Sequence, residues 1–305
     1  MTASVFIDGE AGTTGLQIRD RLLARGDVTL VQVDPDRRKD PEARREAFAS
    51  ADVAILCLPD DAAKEAVALC DGLPTRIIDA STAYRINPDW AFGFPELSAA
   101  NRARIAQAAR VSNPGCYSTG SIALLAPLVA AGLIAPDATL SINAVSGYSG
   151  GGKALIAEFE AGTAGAHFVY GLDHKHKHIP EIMVHAHLVR RPIFIPSVGS
   201  YAQGMIVQIP LHLAAGQRAA DFQTTLADHY TGGRFVRVVD ASTLLPRANP
   251  ERLNGTNLME LSVHPGPEGD RVVLLATLDN LGKGASGAAV QNLNLMLGMD
   301  EGIGL

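Results

Sequence analysis

The chain has 305 residues, 47% of them hydrophobic and 19% charged, a length that suits roughly two domains of ordinary size. Lys and Arg number 26 against 32 Asp and Glu, a formal net charge of −6. That balance argues against a nucleic-acid partner but leaves an anionic small molecule open, because a site needs only local positive groups. The longest apolar run, 121–135, is too short for a membrane span and contains Pro127.

The first 113 residues alternate strand-like and helix-like segments. Residues 4–8 read as a buried strand, and 15–26 as a helix with Leu16, Ile18, Leu22 and Leu23 on one face. Strands are predicted at 28–34, 52–59, 75–81 and 111–113. Helices are predicted at 41–50, 60–72 and 98–110, the first with Pro41 suited to an opening turn. This rhythm, with strands apolar along their length, is that of a parallel, doubly wound α/β sheet of the dinucleotide-binding (Rossmann) kind.

After about residue 117 the texture changes. A long buried helix, interrupted near Pro127, follows Cys116. Strands are then predicted at 138–147, 204–213, 234–240, 258–265 and 271–280. Their clustering points to a mixed or antiparallel sheet and an α+β second domain. The last helix, 284–299, reads as amphipathic, with Ala289, Val290, Leu293, Met296 and Leu297 at helical spacing.

The loop "GEAGTTG" puts Gly9, Gly12 and Gly15 between the first strand and the first helix. Glycine is needed where backbone turns tightly and approaches a pyrophosphate, whose charge then meets the free N–H groups of a helix start. The spacing is G-x-x-G-x-x-G, so the strand–loop–helix context carries more weight than the motif. Asp34 ends the second strand 34 − 15 = 19 residues on, where an acid that binds the NAD ribose is expected. Arg37, Arg38 and Lys39 follow at once; basic groups there can hold the 2′-phosphate of NADP, which is the cofactor favoured.

In "NPGCYSTG", Pro114 and Gly115 make a turn and Cys116 falls at a helix start. A thiolate is favoured there by the helix dipole and attacks carbonyl carbon well. Ser112 and Asn113 stand ready as polar contacts to an oxyanion. The local sequence also permits a buried core cysteine, as expected for Cys57 and Cys70 in their apolar runs. Six of the nine histidines, His167, His174, His176, His178, His185 and His187, lie within 21 positions. A metal site is disfavoured, since no cysteine is near and Lys175 and Lys177 would repel a cation; a proton-carrying histidine beside a thiolate is the better reading. The loop 144–153, rich in Gly and Ser and ending in Lys153, offers N–H groups and a cation to a phosphate or carboxylate. Arg85 follows a strand end of the predicted sheet, where ligands of such folds bind. An odd count of three cysteines, with no signal-peptide pattern at the start, favours a reduced, cytoplasmic enzyme.

Taken in chain order, "GEAGTTG", "ASTAYRI", "FGFPEL", "SNPGCY", "SGYSGGGK", "HKHIPEI" and "DNLGKGASGAAVQN" resemble the short (type 2) form of the N-acetyl-γ-glutamyl-phosphate reductase family over essentially the whole chain. The pairing of S-N-P-G-C-Y with a downstream H-x-H-x-P-E-I is the specific part. The resemblance implies NADPH-dependent reduction of N-acetyl-γ-glutamyl phosphate to the semialdehyde through a Cys116 thioester, a step of arginine biosynthesis. It implies a catalytic histidine at His176 or His178, with His178 preferred for lying nearer Pro180 and Glu181. It assigns Gly9, Gly12, Thr13, Thr14, Gly15, Arg37, Arg38, Asn280 and Gly284 to the cofactor, and Arg85, Asn113, Ser146 and Lys153 to the substrate. It also implies a dinucleotide domain of residues 1–117 completed by 284–305, and an α+β catalytic and oligomerisation domain of 118–283. A homo-oligomer, dimer or tetramer, with no metal, nucleic acid or membrane partner completes the expectation. The loop departs from the G-A-S-G-Y-T-G type of the longer form, so loop contacts of that form are not carried over.

Two rival readings accompany this one. Aspartate-semialdehyde dehydrogenase shares the fold order, the cysteine and NADPH, but fits the histidine stretch less well. A catalytically silent NADP-binding protein would keep the fold and need no thiol chemistry.

Overall fold

The computed structural model describes residues 2–305. It divides into two compact units, 1–115 with 285–305, and 116–284. The first is built on six strands: β1 (Ala3–Asp8), β2 (Val28–Val31), β3 (Val53–Leu56), β4 (Arg76–Asp79), β5 (Ala91–Phe92) and β6 (Arg110–Ser112). All pair in parallel, in the order β2-β1-β3-β4-β6-β5. Helices α1 (Thr13–Leu23), α2 (Pro41–Ala49), α3 (Asp60–Leu69) and α4 (Ala99–Gln107) connect them.

Alternation along each strand explains the two-sided cover. Val5, Ile7, Val53, Ile55 and Ile78 point to one face and pack with Ile18, Leu22 and Ile105. Phe6, Ala54, Leu56 and Ile77 point to the other and pack with Ala47, Phe48, Ala66 and Val67. A sheet buried on both faces needs continuous apolar runs, which is the pattern the sequence displays. The order of strands turns at β1, whose neighbours β2 and β3 leave in opposite directions; doubly wound sheets bind ligands at such a switch point.

The second unit opens with α5 (Cys116–Ala130), followed by β7 (Ser141–Gly147), α6 (Gly152–Glu160), β8 (His167–Val169) and α7 (His178–His185). Then come β9 (Ile193–Gly199), β10 (Met205–His212), α8 (Ala219–His229), β11 (Val236–Val238), β12 (Met259–Pro265) and β13 (Arg271–Leu278). The sheet order is β11-β12-β13-β10-β7-β9-β8. It is mixed: β11 with β12 and β7 with β9 run parallel, and the other pairs antiparallel.

Helix α5 is not interrupted at Pro127, as the sequence suggested. Proline removes the bond to the carbonyl four residues back, which is Ala123. The Tyr230 hydroxyl donates to that Ala123 carbonyl at 2.8 Å, so the buried acceptor is satisfied and the helix continues.

The last helix, α9 (Gly287–Met296), belongs to the first unit and follows a π-type turn at Gly282–Ser286. It is not amphipathic as expected, because its polar residues Gln291, Asn292 and Asn294 are buried as fully as Ala289, Val290 and Leu293. Partners within the unit take up their donors, while the buried Asn292 Oδ1 has none among the described residues. Gln291 donates to Glu96 and Glu301, Asn292 to the Gly93 carbonyl and Asn113, and Asn294 to the Glu301 and Ile303 carbonyls.

Candidate active site

In the first unit, β1 runs into the glycine loop. Gly9 has φ +86°, and a side chain there would strike the Cys57 carbonyl, so only glycine fits. A Cβ at Gly15 would stand 2.6 Å from the Gly9 carbonyl oxygen, so glycine lets α1 close onto the loop. Gly12 differs: it has ordinary extended geometry, and its nearest neighbour would be the Gly9 oxygen at 3.5 Å. The protein itself leaves that position room, as a close ligand would require. Gly12 is the N-cap of α1, makes no side-chain cap bond, and is followed by no acid in the first turn, which suits a phosphate.

A cleft of about 510 Å³ adjoins this loop, lined by Asp8, Gly9, Glu10, Ala11, Asp34, Arg38, Lys39 and apolar residues of β1 and β2. Arg38 and Lys39 therefore face the loop cleft, while Arg37 lines a separate cavity with Glu46 and Ser50 and lies 3.6 Å from Asp40. Asp34 keeps one carboxylate oxygen on the Asp36 amide at 2.9 Å. Beneath the loop, burial raises the pKa of Asp8, opposed by its 2.7 Å ion pair with Arg44. Thr13 and Thr14 open α1.

The second unit holds a cavity of about 240 Å³. Cys116, Tyr117, Ser146, Gly147, Gly150, Gly151, Leu155, Phe168, Tyr170 and Val198 line it. Cys116 is the first residue of α5 and, like Cys57, remains partly exposed, while Cys70 is buried. Its location sets it apart from the other thiols. Burial pushes the Cys57 thiol up to about 12, helped by Asp79 and Asp8, and pushes Cys70 up to about 11. Gly284 backs the thiol-bearing residue, since a Cβ there would lie 2.8 Å from that of Cys116.

His178, the first residue of α7, is buried at 6% exposure. Its backbone N–H donates to His176 Nδ1 at 3.1 Å, so the neutral His176 ring carries its proton on Nε2. That Nε2 lies 3.4 Å from the Tyr170 hydroxyl. The two rings meet edge to face at 4.7 Å, and both pack on Tyr117. Glu181, also in α7 and buried, accepts from the Ser118 hydroxyl of α5 at 2.8 Å.

The remaining sequence candidates divide. Ser146 lines the Cys116 cavity. Lys153, on α6, is exposed and is not among the residues lining that cavity. Asn280 is buried in a structural role: its oxygen accepts from the Gly204 amide at 2.7 Å and its nitrogen donates to Ser149 at 3.0 Å. In the first unit, Arg85 donates to the Asn113 and Ala80 carbonyls, and the Asn113 side chain donates to the Ala285 carbonyl at 3.0 Å. Among the described residues no group of three or more His, Cys, Asp and Glu side chains is arranged to hold a metal ion.

Sequence reasoning named Lys39 within the basic run but missed Tyr117, Phe168 and Tyr170 as residues of the cavity; Tyr117 lies next to Cys116 in the quoted motif, whereas Phe168 and Tyr170 come from a segment that no local pattern marks.

Residues 9–108 match the family model for the semialdehyde dehydrogenase NAD binding domain, and 116–280 match that for the semialdehyde dehydrogenase dimerisation domain. Proteins named N-acetyl-gamma-glutamyl-phosphate reductase in Brucella ovis and Brucella canis are each 53% identical, with 98% of this chain and 100% of the relative covered. Among solved structures, aspartate semialdehyde dehydrogenase II of Vibrio cholerae, complexed with ASA, aligns with a TM-score of 0.73 at 15% identity. The alignment covers 97% of this chain and 98% of that one. The Candida albicans aspartate semialdehyde dehydrogenase with NADP gives 0.69 at 14%, covering 97% of this chain and 99% of that one. At such identities these structures speak for the fold alone. The chain belongs to the semialdehyde dehydrogenase family, and within it to the N-acetyl-gamma-glutamyl-phosphate reductases.

Proposed function

We propose that this chain reduces N-acetyl-γ-glutamyl phosphate to N-acetyl-glutamate semialdehyde with NADPH, in arginine biosynthesis, and that Cys116 is the nucleophile. The observation that carries the role of Cys116 is its place: of the three thiols it alone opens a helix at the wall of a cavity, while the surroundings of the other two raise their pKa.

The chemistry follows from that placement. The thiolate adds to the acyl carbon, the C–S bond forms, and the C–O bond to phosphate breaks. The thiol proton passes to a histidine of the His176–His178 pair and leaves with the phosphate. NADPH, when bound, supplies the hydride that the thioester accepts. Breaking the C–S bond of the thiohemiacetal releases the aldehyde and restores the Cys116 thiolate.

Gly9, Gly12 and Gly15 with the α1 N-terminus hold the dinucleotide phosphates, and Arg38 and Lys39 hold the 2′-phosphate. Ser146 contacts the acyl group in the cavity. Arg85 and Lys153 remain assigned to the anionic ends of the substrate on the family resemblance.

A homo-oligomer is the assembly we favour. The edge strand β8 and the segments after it expose Val169, Leu172, Val184 and Ile193, and α6 has no buried residue. Such apolar edges call for cover. The cytoplasm suits a chain whose three cysteines are all free thiols. No helix among the described residues is long and apolar enough to cross a membrane.

The test is phosphate-dependent oxidation of the two semialdehydes by purified protein and by Cys116→Ser. Turnover of N-acetyl-glutamate semialdehyde, lost in the variant with NADPH binding kept, is expected. Turnover of aspartate semialdehyde alone, or turnover that survives the substitution, would contradict the reading.

A further inference from the structure

The Cys116 cavity presents one side chain that combines a titratable hydroxyl with a route to the histidine pair. Tyr170 stands just after β8 and lines the cavity beside Cys116. On the other side its hydroxyl lies 3.4 Å from His176 Nε2. His176 Nδ1 is engaged by the His178 amide at 3.1 Å, which fixes the ring as an Nε2–H donor toward Tyr170. The Tyr170 hydroxyl also shares a hydrogen bond with Tyr117, so its proton rests on that neighbour until an oxyanion in the cavity draws it away. The second tyrosine, Tyr117, turns its hydroxyl onto the Ser197 carbonyl at 2.9 Å.

We infer that Tyr170 is a further catalytic residue, donating its hydroxyl proton in a hydrogen bond to the oxyanion that forms on the carbon bonded to Cys116, with His176 donating to Tyr170 from behind. The inference rests on the reading that Cys116 carries the acyl group. Two tetrahedral states arise at that carbon, one as phosphate leaves and one as the thiohemiacetal. Each puts negative charge on the former carbonyl oxygen, where a fixed donor in a partly dehydrated cavity acts most strongly. No proton is transferred in the step: Tyr170 keeps its O–H bond, and the oxyanion collapses by breaking the C–O bond to phosphate or the C–S bond to Cys116. The phenol suits that part. Burial pushes it up to about 12 against the opposing hydrogen bond with Tyr117, with charge on Cys116 adding to the rise, so it stays protonated through the working range. The polarising His176 behind it strengthens the bond through cooperativity.

Tyr170→Phe removes the donor and keeps the ring. Loss of one such donor lowers kcat by roughly 10²-fold. Three further readouts separate a catalytic from a packing role: KM, NADPH affinity, and the rate at which iodoacetamide alkylates Cys116. All three are expected within about twofold of the parent, a kcat-specific loss of the kind that marks a transition-state contact. Incorporation of 3,5-difluorotyrosine at 170, a more acidic phenol, restores turnover and moves the alkaline limb of the kcat profile to lower pH. An unchanged kcat in Tyr170→Phe overturns the inference, as does a fall in kcat matched by equal losses in NADPH binding and alkylation, or a profile that the fluorinated residue leaves in place. Cys116→Ser in the same assays keeps the questions apart. If that variant still turns over, the thioester reading itself has failed; if it is inactive while Tyr170→Phe is fully active, only the role of Tyr170 has.

Discussion

The cleft of the first unit adjoins a glycine loop whose steric needs are those of backbone, and the cavity of the second is walled by reactive and aromatic side chains. In the first, Gly9, Glu10 and Ala11 of the loop enter the lining beside side chains of β1 and β2, and among the described residues the cations lining it are Arg38 and Lys39. In the second, a thiol, two phenols and an aromatic wall surround the space, and the histidine pair stands behind Tyr117 and Tyr170. A backbone site recognises a shared feature of many ligands, the pyrophosphate, and tolerates change in its side chains. A side-chain site performs one reaction and depends on where each group stands. Substitutions should therefore act through affinity in the first unit and through rate in the second.

The largest contrast is expected at Gly284. An added methyl there must displace Cys116, whose Cβ would be 2.8 Å away. A misplacement near 1 Å costs about 10²-fold in rate. Gly284→Ala is thus expected to lower kcat by that order while the far-ultraviolet circular dichroism spectrum is unchanged; full activity would show that the thiol's position is not critical.

In the first unit, Arg38→Ala is expected to remove one charge-assisted contact to the 2′-phosphate. Such bonds contribute about 1.5–3 kcal/mol, or roughly 10- to 100-fold in affinity. Titration by NADPH fluorescence should show that loss with NADH affinity retained. Arg37→Ala, which alters a different cavity, should stay within about threefold. Equal losses in the two variants would show that the division between the cavities has no bearing on the cofactor.

The smallest effect sharpens the backbone claim. Gly12→Ala meets no protein atom closer than 3.5 Å and should leave the melting temperature nearly unchanged, yet weaken NADPH by roughly tenfold, about 1.4 kcal/mol. Gly9→Ala reverses the pattern. At φ +86° beside the Cys57 carbonyl it should lower stability by at least about 1–2 kcal/mol in urea unfolding.

The same contrast governs what could be read in the amino-acid sequence. The four main strands of the first unit stand out because a doubly covered sheet demands apolar runs, and the glycine loop stands out because its spacing is a steric requirement. Only the ends shifted: β2 stops at Val31, where its pairing with β1 ends opposite Phe6. The two-residue β5 was too short to leave a pattern. In the second unit, α7 spells "HIPEIMVH", poor in strong helix formers and interrupted by Pro180, and is held by burial of Ile179 and Ile182. Strand β8 is three residues with His167 and Val169 exposed. These two weak elements flank Tyr170 and carry His178, so the cavity's chemistry was the hardest part to foresee. Cys116 was legible because Pro114, Gly115 and the helix start are local; Tyr170 was not, because its meaning depends on residues from α5 and β7. The continuity of α5 through Pro127 depended on Tyr230, 107 residues away, and the burial of polar residues in α9 on partners up to 199 residues away.

The central claim, that the thiol of the second unit completes acyl transfer before any reduction, can be isolated by withholding NADPH. Protein mixed with N-acetyl-γ-glutamyl phosphate alone should release a burst of about one phosphate per chain on the ordinary course of covalent catalysis. Mass spectrometry of the quenched, digested protein should then find the acyl group on the peptide bearing Cys116. No burst, or an acyl group on any other residue, would contradict the account.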